Sequence, residues 1–223
     1  MSRLFAIGDI HGNYLSFKSI VEQFNYKQED TIVLLGDYID RGQGSYEVIE
    51  YILELKSKCN LITLRGNHEQ MLLWSTYDKS YFPWWMRYGG KETLESYRRN
   101  GQLHYNDDSL PIFSDEHLEF FKNLLPFWEN DDCIFVHAGY NESGQLDCEE
   151  SIWGPLYPNK RLLKPHPSGK LVVVGHTAHK QVAYLGLAEK ILALDTGSGF
   201  NDGYLSGVEL CGDRVITLYQ PLA

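Results

Sequence analysis

Three short apolar runs, Leu4 to Ile7, Thr31 to Leu35 and Leu61 to Leu64, are separated by stretches of helical period at Tyr14 to Phe24 and Ser45 to Lys58. This β-α-β-α-β alternation constrains the fold more than any other feature of the chain. Helical crossovers between Ile/Val/Leu-rich strands require parallel pairing and a sheet covered on its faces. Ligands in such sheets gather beyond the carboxyl ends of the strands. Each of the three runs ends there in a polar, glycine-bounded cluster.

Downstream the pattern changes twice. From about Trp74 to Trp128 the chain crowds Trp74, Tyr77, Tyr81, Phe82, Trp84, Trp85 and Tyr88 together and offers a helix over Asp115 to Leu125, which reads as a helical, aromatic-rich insert. After Pro126 it turns strand-rich, with runs at Cys133 to His137, Leu171 to Val174, Val182 to Leu185, Ile191 to Leu194, Val208 to Leu210 and Val215 to Tyr219, which predict a second sheet. Pro155 to Pro167 reads as a loop. With 223 residues, 43% of them hydrophobic, one domain over 1–223 with a sizeable core is expected.

Composition removes several function classes. Leu4 to Ile7 is too short for a signal-peptide core or a membrane span, and four scattered cysteines without a C-x-x-C pair read as reduced thiols, so a cytoplasmic protein is expected. A net charge of −10 and the lack of a Lys/Arg block argue against nucleic acid as a partner. The strand-end clusters therefore carry the functional reading.

The first is Gly8-Asp9-Ile10-His11-Gly12, where Asp and His two residues apart leave a strand on the same side and could hold a divalent ion. The spacing alone is weak, because Asp115-Glu116-His117 repeats it; there Ser114 and the following apolar period point to a helix N-cap instead. The second cluster is Gly36-Asp37-Tyr38-Ile39-Asp40-Arg41-Gly42, and the third is Arg65-Gly66-Asn67-His68-Glu69. Each member has a plain structural alternative: an Asx-turn for Asp37, a helix-terminal charge for Asp40, surface charge for Arg65, an N-cap for Asn67. Turn chemistry does not explain why the pattern recurs at three successive strand ends. Two further apolar runs end in His137-Ala138-Gly139 and Gly175-His176-Thr177, while His104, His117, His166 and His179 read as hydrogen-bonded turn residues.

GDIHG at 8–12, GDYIDRG at 36–42, RGNHE at 65–69, VHAG at 136–139 and GHT at 175–177 together resemble, in order and spacing, the phosphoprotein phosphatase family of calcineurin-like metallophosphoesterases. LALDTGSGF at 192–200 and WMRYGGKETLESY in the insert resemble bacterial and phage members. The resemblance implies an α/β fold of two packed mixed β-sheets flanked by helices in four layers. It implies two divalent ions, Asp9, His11 and Asp37 on the first and Asn67, His137 and His176 on the second, with Asp37 shared. Imidazole, carboxylate and amide oxygen suit manganese, iron or zinc, with manganese favoured. It further implies in-line attack on phosphorus by a bridging hydroxide, phosphate contacts from Arg41 and Arg65, and His68 as general acid oriented by Asp40. The substrate would be a phosphorylated protein or a small phosphate ester.

Serine/threonine-type members commonly carry another substrate arginine two residues after a Trp, where SIWGP places Pro155; Arg161 or Arg87 could substitute, although surface charge is their ordinary reading. The alternative is a symmetrical diadenosine tetraphosphate hydrolase, a group with similar GDIHG, GNH and HAG blocks. That group typically has no acid at the position of Asp40 and reads GNHD where this chain has Glu69. A non-catalytic scaffold on this fold would be expected to lose ligands or the acid, and all of them are present.

Overall fold

The computed structural model describes residues 2–106, 111–141, 143–146, 148–154, 164–185 and 188–221. The expected alternation opens the chain as β1 (Leu4–Ile7), α1 (Tyr14–Phe24), β2 (Thr31–Leu34), α2 (Ser45–Leu55), β3 (Asn60–Thr63) and α3 (Asn67–Tyr77). The helices form where apolar residues recur every three or four positions. Phe17, Ile20, Val21 and Phe24 of α1 and Val48, Ile49, Ile52 and Leu55 of α2 are buried against the sheet.

The insert follows as a 3-10 turn at Lys79–Tyr81, α4 (Phe82–Trp85), a π-helical turn at Met86–Gly90, α5 (Lys91–Arg99), the short strands β4 (His104–Tyr105) and β5 (Pro111–Ile112), and α6 (Asp115–Lys122). As expected, Ser114 caps α6 by accepting from the His117 N–H at 3.2 Å. The helix ends at Lys122, short of the expected Leu125. The rest of the chain is β6 (Phe127–Glu129), β7 (Cys133–Val136), α7 (Cys148–Trp153), β8 (Leu171–Val174), β9 (Ala183–Leu185), β10 (Ile191–Ala193), β11 (Gly207–Cys211) and β12 (Arg214–Tyr219). Pro155 and Arg161 lie outside the described residues.

Two five-stranded mixed sheets result, ordered β12-β11-β1-β2-β3 and β6-β7-β8-β10-β9. Strands β1, β2 and β3 are parallel in the first sheet and β7, β8 and β10 in the second, and antiparallel strands complete each sheet. One expectation fails: β11 and β12 do not join the second sheet but return to pair on the open side of β1. There Val208 and Leu210 bury their side chains between the sheets, and β1 ceases to be an unpaired edge.

Alternation then builds the layers. Ala6, Val33, Leu35, Phe135, Val173, Leu192 and Leu194 fill the space between the sheets, whereas Phe5, Ile7, Ile32 and Leu34 face the helices. Ile134, Val136, Val172, Val174 and Ile191 form the outer face of the second sheet. The carboxyl ends of six parallel strands, three from each sheet, thus deliver their loops to a common edge.

Candidate active site

The loops after β1 and β2 are laced together. Ile10 and His11 donate backbone N–H groups to the Asp37 carbonyl at 3.0 and 2.8 Å, and Gly12 donates to the Tyr38 carbonyl at 2.8 Å. Asp37, Asp40 and Arg41 adopt left-handed backbone conformations with φ of 52°, 71° and 66°; His11 and His176 do so at 48° and 65°. Non-glycine residues pay for that conformation, and such strain concentrates at functional sites. Glu69, fully buried, holds the turn in place by accepting from Asp37 N, Tyr38 N and Gly66 N at 2.9, 2.7 and 3.0 Å. Burial and the nearby Asp37 charge push its carboxyl up from the usual range. Only glycine fits before α3, because a Cβ on Gly66 would lie 2.1 Å from Asp37 Oδ1.

Asp37 sits at the centre of the cluster. Its Oδ2 faces His11 Nε2 at 3.5 Å and His68 Nε2 at 3.9 Å, and its Oδ1 faces His137 Nε2 at 3.5 Å. One ligand atom each from His11, Asp37 and His68 lies within 4.8 Å of the others, and the same holds for Asp37, His137 and His176. Asn67 completes the second group, with Oδ1 3.0 Å from His137 Nε2 and 2.9 Å from His176 Nδ1. Asp9 receives the His176 backbone N–H on both carboxylate oxygens at 3.1 Å.

The donor set fits divalent ions on chemical grounds. His11 and His137 donate Nδ1–H to the carbonyls of Ile39 and Leu35, both at 2.9 Å, which fixes their tautomers and leaves each Nε2 unprotonated, with a lone pair to offer. In the second group His137 Nε2 meets Asn67 Oδ1, two acceptors facing each other without a proton to share, as atoms do when a cation belongs between them. The charges agree. Burial and the neighbouring Asp195 and Asp37 push the Asp9 carboxyl well up, while the imidazoles of His137, His68 and His11 hold Asp37 down despite its burial. Burial and His137 lower His176 to about 4, and burial lowers His11 and His137, which favours the neutral imidazoles that metal coordination uses.

His68 is built differently. Its Nδ1 lies 2.7 Å from Asp40 Oδ2, and both side chains are buried. Asp40 is itself gripped by the insert: Trp85 Nε1–H reaches its oxygens at 3.0 and 3.1 Å, and the Thr93 hydroxyl donates at 2.6 Å. Burial disfavours the imidazolium of His68, but Asp37 and Asp40 outweigh it and its pKa is raised. Arg41 lies across the front, 2.7 Å from His11 Nε2 and 3.1 Å from His68 Nε2. Arginine has no acceptor, so both nitrogens offer it lone pairs.

Arg65, expected beside Arg41, is not brought to the cluster. It donates to Gln70 Oε1 at 3.2 Å and to the Phe121 and Lys122 carbonyls at 3.5 and 2.7 Å, bracing the end of α6. The aromatic crowd is mostly packing: Trp74 and Trp84 stack on Trp153 of α7 with ring centroids 5.6 and 5.4 Å away. His117 is no turn residue; it is buried on α6, 2.8 Å from both Tyr97 Oη and Glu50 Oε1. Sequence reasoning missed Asp195 and Ser198, which follow β10. Asp195 is buried within charge reach of Asp37, and the Ser198 hydroxyl donates to the Ile10 carbonyl at 2.9 Å. The strand-end rule that found the other clusters, applied to Ile191 to Leu194, points to Asp195 as well.

Residues 2–201 match the family model described as calcineurin-like phosphoesterase. The chain belongs to this family. Calcineurin-like phosphoesterases are hydrolases that use divalent metal ions, and this chain has two His/Asp groups that could hold them. Among solved structures, the chain is similar to a cold-active protein-tyrosine phosphatase of a psychrophilic Shewanella species, with a TM-score of 0.68 and 17% identity over 100% of this chain and 81% of that one. It is also similar to a protein serine/threonine phosphatase from Saccharomyces cerevisiae, with a TM-score of 0.61 and 15% identity over 100% and 80% of the two chains. At these identities the likeness extends to the fold. A curated relative, the symmetrical bis(5'-nucleosyl)-tetraphosphatase of Wigglesworthia glossinidia brevipalpis, is 43% identical over 70 residues, 31% of this calcineurin-like chain and a quarter, 25%, of the relative. No helix among the described residues is long and apolar enough to cross a membrane.

Proposed function

We propose that this chain is a metal-dependent phosphomonoesterase of the serine/threonine protein phosphatase type, with His68 as general acid. The observation that carries the reading is the buried His68–Asp40 pair at 2.7 Å beside the Asp37 cluster. Asp9, His11 and Asp37 would hold one ion and Asn67, His137 and His176 the other. When bound, such ions supply positive charge to the phosphoryl oxygens and acidify water.

The protein's own groups do the rest. Arg41 exchanges the imidazole nitrogens of His11 and His68 for the non-bridging phosphate oxygens, which its donor fork matches. His68 Nε2 is then free to carry a proton to the leaving oxygen, while Asp40 keeps Nδ1–H and thereby the orientation of the ring. Such an acid matters most for a basic alkoxide, as from phosphoserine. A departing nucleotide phosphate, with a second pKa of about 6, leaves without one.

A second reading is hydrolysis of a dinucleoside tetraphosphate. The 43% identical relative favours it, and on the comparisons alone this reading has the stronger support. The deciding experiment is a side-by-side rate comparison on phosphoserine peptide, phosphotyrosine peptide and diadenosine tetraphosphate with manganese. Faster phosphoserine cleavage is expected, and faster dinucleotide cleavage would replace the first reading by the second. Stringent chelation should abolish all three rates and added manganese restore them; rates that persist without metal would sink both.

A further inference from the structure

A cavity of 590 Å³ opens beside Arg41, with Arg87, Lys91 and Glu92 on its walls and the exposed rings of Tyr88 and Phe200 at its sides. Three cations against one carboxylate give it a formal charge of +2 in a chain of net charge −10. Local charge of this kind decides what a pocket binds once distant charges are screened.

The backbone that carries the cations is held against Arg41. The π-helical turn at Met86–Gly90 rests on the backbone of Arg41, whose N–H donates to the Gly89 carbonyl at 3.3 Å. Gly89 has φ of 113°, and a Cβ there would stand 2.6 Å from Arg41 N, so the contact requires glycine. Arg87 and Lys91 lie two residues to either side of that contact. Among the described residues neither makes a hydrogen bond or salt bridge to a carboxylate.

The neighbouring cavity is different. It measures 430 Å³, shares Phe200, and is lined by Tyr14 and Leu15 with Glu47 balancing Arg99. Phe200, with its ring 4.5 Å from the Arg41 guanidinium, is thus a wall between a charge-balanced pocket and a cationic one.

We infer that Arg87 and Lys91 form a subsite for a second phosphate, so that a substrate carrying a phosphoanhydride chain next to the scissile phosphorus is bound by Arg41, Arg87 and Lys91 together. The ligand class is a nucleoside polyphosphate ester. The inference rests on the metallophosphoesterase reading and deepens its dinucleotide branch.

The test is the double variant Arg87→Gln/Lys91→Gln, assayed with manganese on diadenosine tetraphosphate and on p-nitrophenyl phosphate. The ratio of kcat/KM for the dinucleotide to that for the aryl phosphate should fall about tenfold, chiefly through KM. The dinucleotide KM should also lose most of its dependence on salt. A ratio that stays within about twofold of wild type overturns the subsite, as does a wild type that cleaves p-nitrophenyl phosphate but neither cleaves diadenosine tetraphosphate nor is inhibited by it. A wild type inactive on both substrates overturns the phosphoesterase reading, and the subsite falls with it.

Discussion

Two buried histidines lie at nearly equal distances from a carboxylate, His68 from Asp40 at 2.7 Å and His117 from Glu50 at 2.8 Å, and they behave oppositely. The pKa of His68 is raised, that of His117 lowered. Burial opposes the imidazolium in both. At His68 two buried carboxylates, Asp37 and Asp40, overcome it. At His117 a single carboxylate, on a side chain 50% exposed, does not. A buried His–carboxylate contact is thus not by itself a proton donor. The number and burial of the acids around the ring decide, and Asp37 together with the insert's grip on Asp40 separates the two sites.

The sharpest way to break this contrast is His68→Asn, which should lower kcat on an alkyl phosphate by about 10²- to 10⁴-fold, with a much smaller loss on p-nitrophenyl phosphate. Equal loss on both substrates would remove His68 from the acid role. Asp40→Asn should cost about 10- to 100-fold on the alkyl ester, with the pH–rate profile displaced because the imidazole loses its support. Arg41→Ala should raise KM for either ester more than Arg65→Ala does, and Arg65→Ala should instead cost about 1 to 2 kcal/mol in urea unfolding as the end of α6 loses its brace. A larger KM effect at Arg65 would return it to the phosphate. The smallest effect belongs to His117→Gln: unaltered turnover, and about 1 to 2 kcal/mol lost with the Tyr97 and Glu50 contacts.

The His117 pair also carries a pH signature. Its folded-state pKa lies below the ordinary value of about 6.5, so neutral His117 contributes stability that is present above that pH and lost as pH falls through the folded value. His117→Gln should therefore flatten the decline of the urea midpoint as pH falls below about 6.5. An unchanged slope would place the acid sensitivity elsewhere.

Much of the site was legible because its residues are local to strand ends. Asp9 and His11, Asp37, and Asn67 and His68 follow apolar runs whose β character is evident from period and composition, and parallel pairing brings their ends together. What escaped was long-range. The return of β11 and β12 to β1 depends on which open edge is available, and alternation within a strand does not encode its partner. Trp85 and Thr93 reach Asp40 across 45 and 53 residues, so an aromatic among many and a threonine on α5 gave no local sign of that task. Arg65 has the motif expected of a phosphate contact, yet its side-chain direction is set by the carbonyls that α6 happens to present.

The bond from His176 N–H to Asp9 spans 167 residues of chain. As synthesis proceeds, the first 70 residues carry Asp9, His11, Asp37 and Asn67 but lack both later imidazoles, and a contact of such sequence separation closes late. High-affinity metal uptake should then mark the completed fold, since a truncated chain ending before β8 holds only part of the proposed ligand set. The proposed ligands in this way report on assembly, because they stand together only once residues from both halves of the chain have docked.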